Sequence, residues 1–417
     1  MHQKNLWQET SKEKITFGNL NKSITTDLVV VGAGFTGCSA ALFAAKSGLS
    51  VALIDQKIGY GGSGRNVGLV NAGLWMPPET VENILGLDAG VKLNNALAKA
   101  PDLVFSLIDN YGINCSANRS GTLHCAHSEK GLKDIQLRFK QLSERGAELE
   151  LLDKQQTEQR IGSSKFFGSL FNKKAGIINP LDYCLGLAKA AKSNGVNIYE
   201  STLATKIQSI NNEWLVKTSE GSIKAKMLLI ATNAYQKPIE GLNPSQYTSV
   251  QYFQVATKAL PLDLAKSVLP NAEGCWDTAS VMSSFRLDAD NRLIIGGIGN
   301  LGHSASKIHT NWARRKVESL FPQLTNIAID FSWHGRIAMT DDHIPKILRL
   351  GNNAYSVFGY SGRGIGPGTY FGKAVSDCLV TGDEKFLPVD PLDNYQEPLS
   401  SIKGGIIEFG ATVSHLL

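Results

Sequence analysis

The sequence predicts an α/β fold of two lobes, one around a parallel sheet and one an α+β lobe built on an antiparallel sheet. Three observations predict it. A glycine turn, Gly32-Ala33-Gly34-Phe35-Thr36-Gly37, stands between an apolar run and a helix rich in small residues. Strand-like and helix-like runs alternate around it, as in βαβ units. From 246 to 300 the pattern changes to short strand-like runs with turn signals, which suits an antiparallel sheet.

Composition bounds the function. The chain has 417 residues, 42% hydrophobic and 19% charged, so it buries a large core and is not a disordered protein. The net charge of +5 is spread thinly, against the clustered basic stripe of a nucleic-acid binder. The 41 glycines cluster without a repeat, which excludes collagen. Six cysteines (Cys38, Cys115, Cys125, Cys184, Cys275, Cys378) form no CxxC pair and read as reduced, buried thiols. The polar start MHQKNLWQETSKEK lacks an apolar signal region, and Leu28 to Ala45 is broken by polar and glycine residues. These predict no secretory signal, no transmembrane segment and a cytoplasmic location.

The elements follow in order. Residues 1 to 25 read as a solvated leader. Thr26 to Val31 is a buried parallel strand, Phe35 to Ser47 a helix with Gly37, Ala40, Ala41 and Ala44 on one face, and Ser50 to Ile54 a second buried strand. This strand-turn-helix-strand unit of about 30 residues is the size of one βαβ unit. Residues 85 to 112 and 130 to 145 read as helices, and Asn179-Pro180 starts a third over Leu181 to Ala191. Val196 to Tyr199, Thr205 to Ile210, Trp214 to Thr218 and Ile223 to Ile230 are strand-like. Gln254 to Ala259 and Arg292 to Gly297 belong to the antiparallel lobe, where Arg286 braces the sheet. A helix over Thr310 to Leu320, a strand Val357 to Tyr360 and a final helix Thr369 to Leu379 complete the chain. The first lobe is therefore expected at 1–84, 177–245 and 330–417, and the second at 85–176 and 246–329.

The glycine turn carries the clearest chemistry. Gly32 permits a tight turn, Gly34 lets a pyrophosphate approach the backbone, and Gly37 lets the helix sit close to the sheet. The phosphates would lie at a helix N-terminus, where free N–H groups and the dipole favour negative charge. Asp55 ends the second strand 18 residues after Gly37, placed to accept from a ribose diol. The first lobe is thus Rossmann-like and dinucleotide-binding. A second glycine loop, Gly59 to Gly68, is not needed for NAD and fits an extended FAD.

The segments Ser63 to Gly68 (SGRNVG), Ala231 to Tyr235 (ATNAY), Phe285 to Gly297, Trp333 to Pro345 (WHGRIAMTDDHIP) and Gly359 to Thr369 (GYSGRGIGPGT) resemble the FAD-dependent D-amino-acid oxidase (DAO) superfamily. Within it the chain most resembles the amine-oxidising branch that includes gamma-glutamylputrescine oxidases and glycine oxidases. The resemblance runs in order from about residue 26 to 380. It implies a GR2/DAO-type FAD domain. Gly32, Ala33, Gly34, Phe35, Thr36 and Gly37 would hold the pyrophosphate, and Asp55 the ribose, with Gln56 and Lys57 beside it. Gly62, Ser63, Gly64, Arg65, Asn66, Gly68 and Leu69 would line the ribityl side. The Ile207 backbone would hold adenine. Thr232, Gly335, Gly362, Arg363, Gly364, Ile365 and Gly366 would complete the flavin cradle. Arg363 would steady charge on the reduced flavin, or else form a surface salt bridge. Some relatives attach flavin through a Cys at the position of Gly335 or through a His after the first glycine loop. This chain has neither, which implies non-covalent FAD.

The implied reaction is oxidation of a C–N bond in an amine or amino acid, with oxygen or another electron acceptor reoxidising the flavin. A dehydrogenase passing electrons to a quinone or carrier protein is the alternative, and a flavin protein that chiefly binds a partner is a third. His334, Arg336 and Tyr360 are the expected catalytic residues, and Trp75, Tyr252 and Phe253 the substrate wall, since aromatics suit an alkyl amine and Arg a carboxylate. Each has a plainer reading: Trp75 and Phe253 as core, His334 as structural, Arg336 paired with Asp341 or Asp342. His124, Cys125 and His127 are too isolated for a metal site, and no metal is expected.

Overall fold

A computed structural model describes residues 4–243 and 245–417; the first three residues of the expected leader lie outside it. The strand Ser23–Val31 is the centre of the first sheet, and its last four residues are buried. Val51–Ile54 and Asn197–Tyr199 follow on one side, Ser222–Ile230 and Ala354–Phe358 on the other, all parallel. Lys346–Gly351 closes one edge antiparallel, and Lys206–Ile210 with Glu213–Lys217 forms a hairpin on Ser222–Ile230. Continuous apolar strands of this kind need cover on both faces. The helix Phe35–Lys46 supplies cover with Cys38, Ala40, Ala41, Leu42 and Ala44, all buried. Small side chains let a further helix, Ile365–Thr381, cross it closely: a Cβ at Gly372 would sit 2.3 Å from the Thr36 carbonyl oxygen.

The second sheet runs Ile329–Met339, Thr248–Thr257, Leu293–Ile298, Ser284–Leu287, Gly274–Asp277, Thr122–Cys125, Ser169–Asn172, Leu149–Leu152. It is antiparallel except where Gly274–Asp277 lies parallel to Thr122–Cys125. Its core includes Phe253, Val255, Phe285, Ile295 and Phe321. All six cysteines are free and buried. Among the described residues no helix is long and apolar enough to cross a membrane.

Three expectations need correction. The leader is not solvated: Asn5 caps the helix Leu6–Thr10, and Leu6 and Trp7 are buried. Two apolar side chains in a polar stretch are enough to dock it, because Trp7 fits edge-on to Trp333 (5.9 Å) and its Nε1 donates to the Asn66 carbonyl (2.9 Å). The helix expected over 85–112 is two helices, Leu87–Ala98 and Ala100–Tyr111, preceded by another, Pro78–Leu85. Gly86 at φ +84° breaks the first join, and Pro101, without an amide N–H, starts the third helix. Ile365–Thr381 is not the last helix, since Ser400–Leu416 follows. Its three glycines blur the helical pattern, yet Gly404 is needed: a Cβ there would lie 2.7 Å from the Ser249 carbonyl oxygen.

The packing also bears on where the lobes divide. Leu93, Leu97, Val104 and Phe105 share a core with Leu28 and Val30 of the parallel sheet, while Ile329–Met339 runs in the antiparallel sheet. We therefore propose lobe boundaries shifted from those expected: the helices up to Tyr111 go with the first lobe, and the strand to Met339 with the second.

Trp7→Ala should lower stability by about 3–5 kcal/mol, the usual cost of emptying a buried Trp site. Urea unfolding of the FAD-loaded protein checks this, and an unchanged midpoint would show that the N-terminal segment is not docked in solution.

Candidate active site

The strand Ser23–Val31 ends at Gly32, whose φ of +106° suits glycine. Gly37 sits over this turn so closely that a Cβ would fall 1.8 Å from the Gly32 carbonyl oxygen. The helix Phe35–Lys46 begins there with Gly34 as N-cap, and no side chain caps it. Phe35 N–H donates to Ser63 Oγ (3.1 Å), which ties the second glycine loop to this helix end. Asp55, one residue past the strand Val51–Ile54, accepts from Ala33 N–H (2.6 Å) and Lys57 N–H (3.1 Å). Burial raises its carboxyl above the ordinary range, against the pull of those N–H bonds.

The loop 62–68 is held from behind. Asn5 Nδ2 donates to the Gly64 carbonyl (2.9 Å), Trp333 Nε1 to Arg65 (2.9 Å) and Trp7 Nε1 to Asn66 (2.9 Å). Buried Arg286, expected to brace the sheet, instead holds this loop, donating to the carbonyls of Val67 (2.6 Å) and Ile178 (2.7 Å). Opposite, the helix Ile365–Thr381 starts at Gly364, again without a side-chain cap. Both uncapped helix ends line one cavity of about 1170 Å³. That exceeds the ~300–1,000 Å³ of a single small-molecule pocket and suits a dinucleotide plus a substrate. Apart from the Phe35 N–H, which Ser63 Oγ takes, the first N–H groups of the two helix ends fit a ligand with anionic character at two places.

Most expected cofactor residues line this cavity: Gly32, Gly34, Phe35, Thr36, Asp55, Gln56, Lys57, Gly62, Ser63, Arg65, Asn66, Leu69, Thr232, Gly335 and the run Gly362 to Gly366. Ala33, Gly37, Gly64 and Gly68 stand behind the wall and shape its turns. Ile207 does not reach it: its N–H donates to the Glu240 carbonyl (2.8 Å), and Thr202, Leu203 and Ala204 line the wall instead.

On the substrate side Trp75, Tyr252, Arg336 and Tyr360 line the cavity, whereas Phe253 and His334 do not. The two are direct cross-strand partners, Phe253↔His334, and so share the sheet face turned away from the cavity; the next pair, Tyr252↔Gly335, takes the other face. Phe253 is core, fully buried against His309, Trp312 and His415. His334 serves through its carbonyl, which accepts from Arg65 Nη1 (3.0 Å), while burial and nearby Arg65 depress its imidazole pKa. Tyr360 is locked to Thr36 Oγ1 (2.7 Å), with its phenol pushed up by burial. Arg336 is exposed, with its guanidinium 4.8 Å from the Tyr235 ring centre, and pairs with neither Asp341 nor Asp342, which hold Lys403 and Lys346.

The sequence reading missed Arg138, Trp276 and the placement of His124, all of which line the cavity. Arg138 follows Asp134 by one helical turn, a spacing that reads as an exposed ion pair. A separate group, His303, His309 and Glu408, lies close enough to hold a metal. His303 Nδ1, however, accepts from Ala305 N–H (3.1 Å), which puts the proton on Nε2 as a donor to Glu408. The group works as hydrogen bonding between the helices Ser306–Leu320 and Ser400–Leu416.

These two glycine turns joined across one cavity define a flavin-dependent oxidoreductase. The family model for DAO, FAD dependent oxidoreductase, matches residues 27–378, and the chain belongs to that family. It is an enzyme with FAD as its cofactor. It is 30% identical over 402 residues to gamma-glutamylputrescine oxidoreductase of Escherichia coli K12, covering 95% of this chain and 93% of that protein. It is 31% identical to a probable oxidoreductase, OrdL, of Haemophilus influenzae, covering 92% and 90%. Glycine oxidase from Geobacillus kaustophilus shares the fold, with a TM-score of 0.72 at 19% identity over 88% of this chain and 99% of that one.

Gly34→Glu should abolish flavin retention, because a carboxylate would occupy the helix end where the cofactor phosphate would lie. The flavin absorbance per mole of purified protein reads this directly; a yellow variant would refute the placement.

Proposed function

We propose that the protein oxidises the C–N bond of an amine or amino acid. The observation that carries this reading is the single cavity: cofactor residues of the parallel lobe form one wall, and aromatic and cationic residues of the antiparallel lobe face them. The names of relatives that act on amines and amino acids support it. When bound, FAD supplies a hydride acceptor at N5 and a site for reoxidation by oxygen, with hydrogen peroxide as product.

The chain's own part is positioning. Trp75 and Tyr252 wall an alkyl chain. Trp75 is fixed by Nε1 donating to the Ser361 carbonyl (2.5 Å), and the Tyr252 hydroxyl is held by Ser284 Oγ (2.9 Å). Burial keeps the hydroxyls of Tyr252 and Tyr360 neutral. The walls exclude bulk water while the amine, in its neutral form, gives up hydride; water then hydrolyses the imine to a carbonyl and an amine or ammonia. Hydride loss from a neutral amine needs no strong protein base. Gly335 offers no nucleophile where some relatives attach flavin, so the cofactor is held non-covalently.

An anaerobic absorbance titration tests this with gamma-glutamylputrescine, then amino acids and N-methyl amines. One compound should bleach the oxidised flavin band, and readmitted air should restore it. No bleaching by any amine overturns the reading; bleaching without recovery in air would make the enzyme a dehydrogenase.

A further inference from the structure

The helix Ser400–Leu416 is docked firmly by one face and left open on the other. On its inner face His415 stacks on Trp312 (4.1 Å) and meets Phe253 edge-on, while its Nδ1 lies 2.8 Å from Nδ1 of His309. Glu408 is turned inward too and accepts from the Asn300 N–H (2.9 Å) and from His309 Nε2 (3.2 Å). Lys403 is tied to Asp341 (2.7 Å). Both charges of the helix are therefore matched within the chain.

The outer face is apolar. Leu399, Ile402, Ile406, Phe409, Val413 and Leu416 are each between 41% and 71% exposed. Their spacing along the sequence is 3, 4, 3, 4 and 3 residues, the step of a coiled-coil seam. The exposed residues beside the seam, Ser401, Gly405, Gly410 and Ser414, are small and uncharged. Small flanks let a second helix axis come close. Such a seam costs free energy in water and gains most from a partner with the same spacing.

Three features select that partner. The spacing reads the same in both directions, so the seam is complementary to itself about a two-fold axis between Ile406 and Phe409. An antiparallel copy sets Ile406 against Phe409, Ile402 against Val413 and Leu399 against Leu416. Charge agrees: this arrangement opposes the two helix dipoles and carries each Lys403 toward the C-terminal half of the other helix, whereas a parallel pair would bring the two lysines level. Area agrees as well. A patch of six large apolar side chains reaches the upper end of the ~300–600 Å² found on monomers, and two such patches bury on the order of 1,000 Å², enough for a specific interface. An anionic lipid surface fits less well, since a helix lying on one carries lysines or arginines along its polar face and this helix has only Lys403.

We propose that a second copy of this chain packs antiparallel on the helix Ser400–Leu416, making the protein a two-fold dimer. The inference does not depend on the amine-oxidising reading. The helix packs on Phe253, on the sheet face turned away from the cavity, so pairing leaves the flavin site open.

Sedimentation equilibrium of the FAD-loaded full chain, across a wide range of concentration, should give twice the chain mass. Ile406→Glu and Phe409→Glu alter exposed side chains, so flavin content should stay at the wild-type level. Each removes an apolar contact twice per dimer and should raise the dimer dissociation constant by roughly 100-fold or more. A wild type that stays monomeric, or a dimer whose dissociation constant neither variant changes, overturns the proposal. Direction is read with a short bis-maleimide, because all six native cysteines are buried. Ile402→Cys mixed with Val413→Cys should cross-link, and Ile402→Cys alone should not; the reverse pattern overturns the antiparallel pairing. A monomeric wild type that sediments with phosphatidylglycerol vesicles, and loses them in Phe409→Glu, would assign the face to lipid and overturn the dimer.

Discussion

The site depends on how one helix is seated. The contact of Gly37 with the Gly32 carbonyl brings the start of Phe35–Lys46 down onto the end of the central strand. With any side chain at 37 the helix would lift, and its free N–H groups would leave the cavity wall. The second helix end is registered against the first. Gly372 closes on the Thr36 carbonyl, Ser39 Oγ donates to the Thr369 carbonyl (2.7 Å), and Thr36 Oγ1 meets the Tyr360 hydroxyl (2.7 Å). Two helix dipoles are therefore fixed relative to one another by backbone approach and short polar contacts, not by long flexible side chains. Leaving both ends without a side-chain cap costs the apo protein some stability. That cost is the expected mark of a site whose cap is a ligand.

What was legible in the sequence divides along physical lines. The glycine turn, Asp55 and the buried strands were readable because each constraint is local: a positive φ, a close backbone approach, an unbroken apolar run. The alternation of elements gave the two sheets. The losses were of three kinds. Phe253 and His334 were misplaced because strand faces alternate with a period of two, so a one-residue error in facing moves a side chain from the cavity to the core. The register Phe253↔His334 settles both at once, and it is a non-local fact. The docked N-terminus was missed because its evidence is two side chains, Leu6 and Trp7, whose partners lie about 60 residues or more away.

The third kind of loss is chemical. Arg138 and Arg363 each look ordinary in the sequence. Only burial makes them unusual, and burial is decided by which lobe closes over which. Burial lowers the pKa of Arg363 to about 9 and that of Arg138 to about 10, yet both stay cationic at neutral pH.

The lobes thus divide the work. The parallel lobe holds rigid backbone features, two glycine turns and two helix ends on the cavity wall, that would hold the cofactor whatever the substrate. The antiparallel lobe contributes Tyr252, Trp276 and His124 from strands, and Arg138 from a covering helix. Single side chains on a sheet can be exchanged without disturbing the backbone ladder beneath them. A fold built this way can hold one cofactor chemistry constant while its substrate changes. That accounts for a chain that shares its fold with glycine oxidase at only 19% identity.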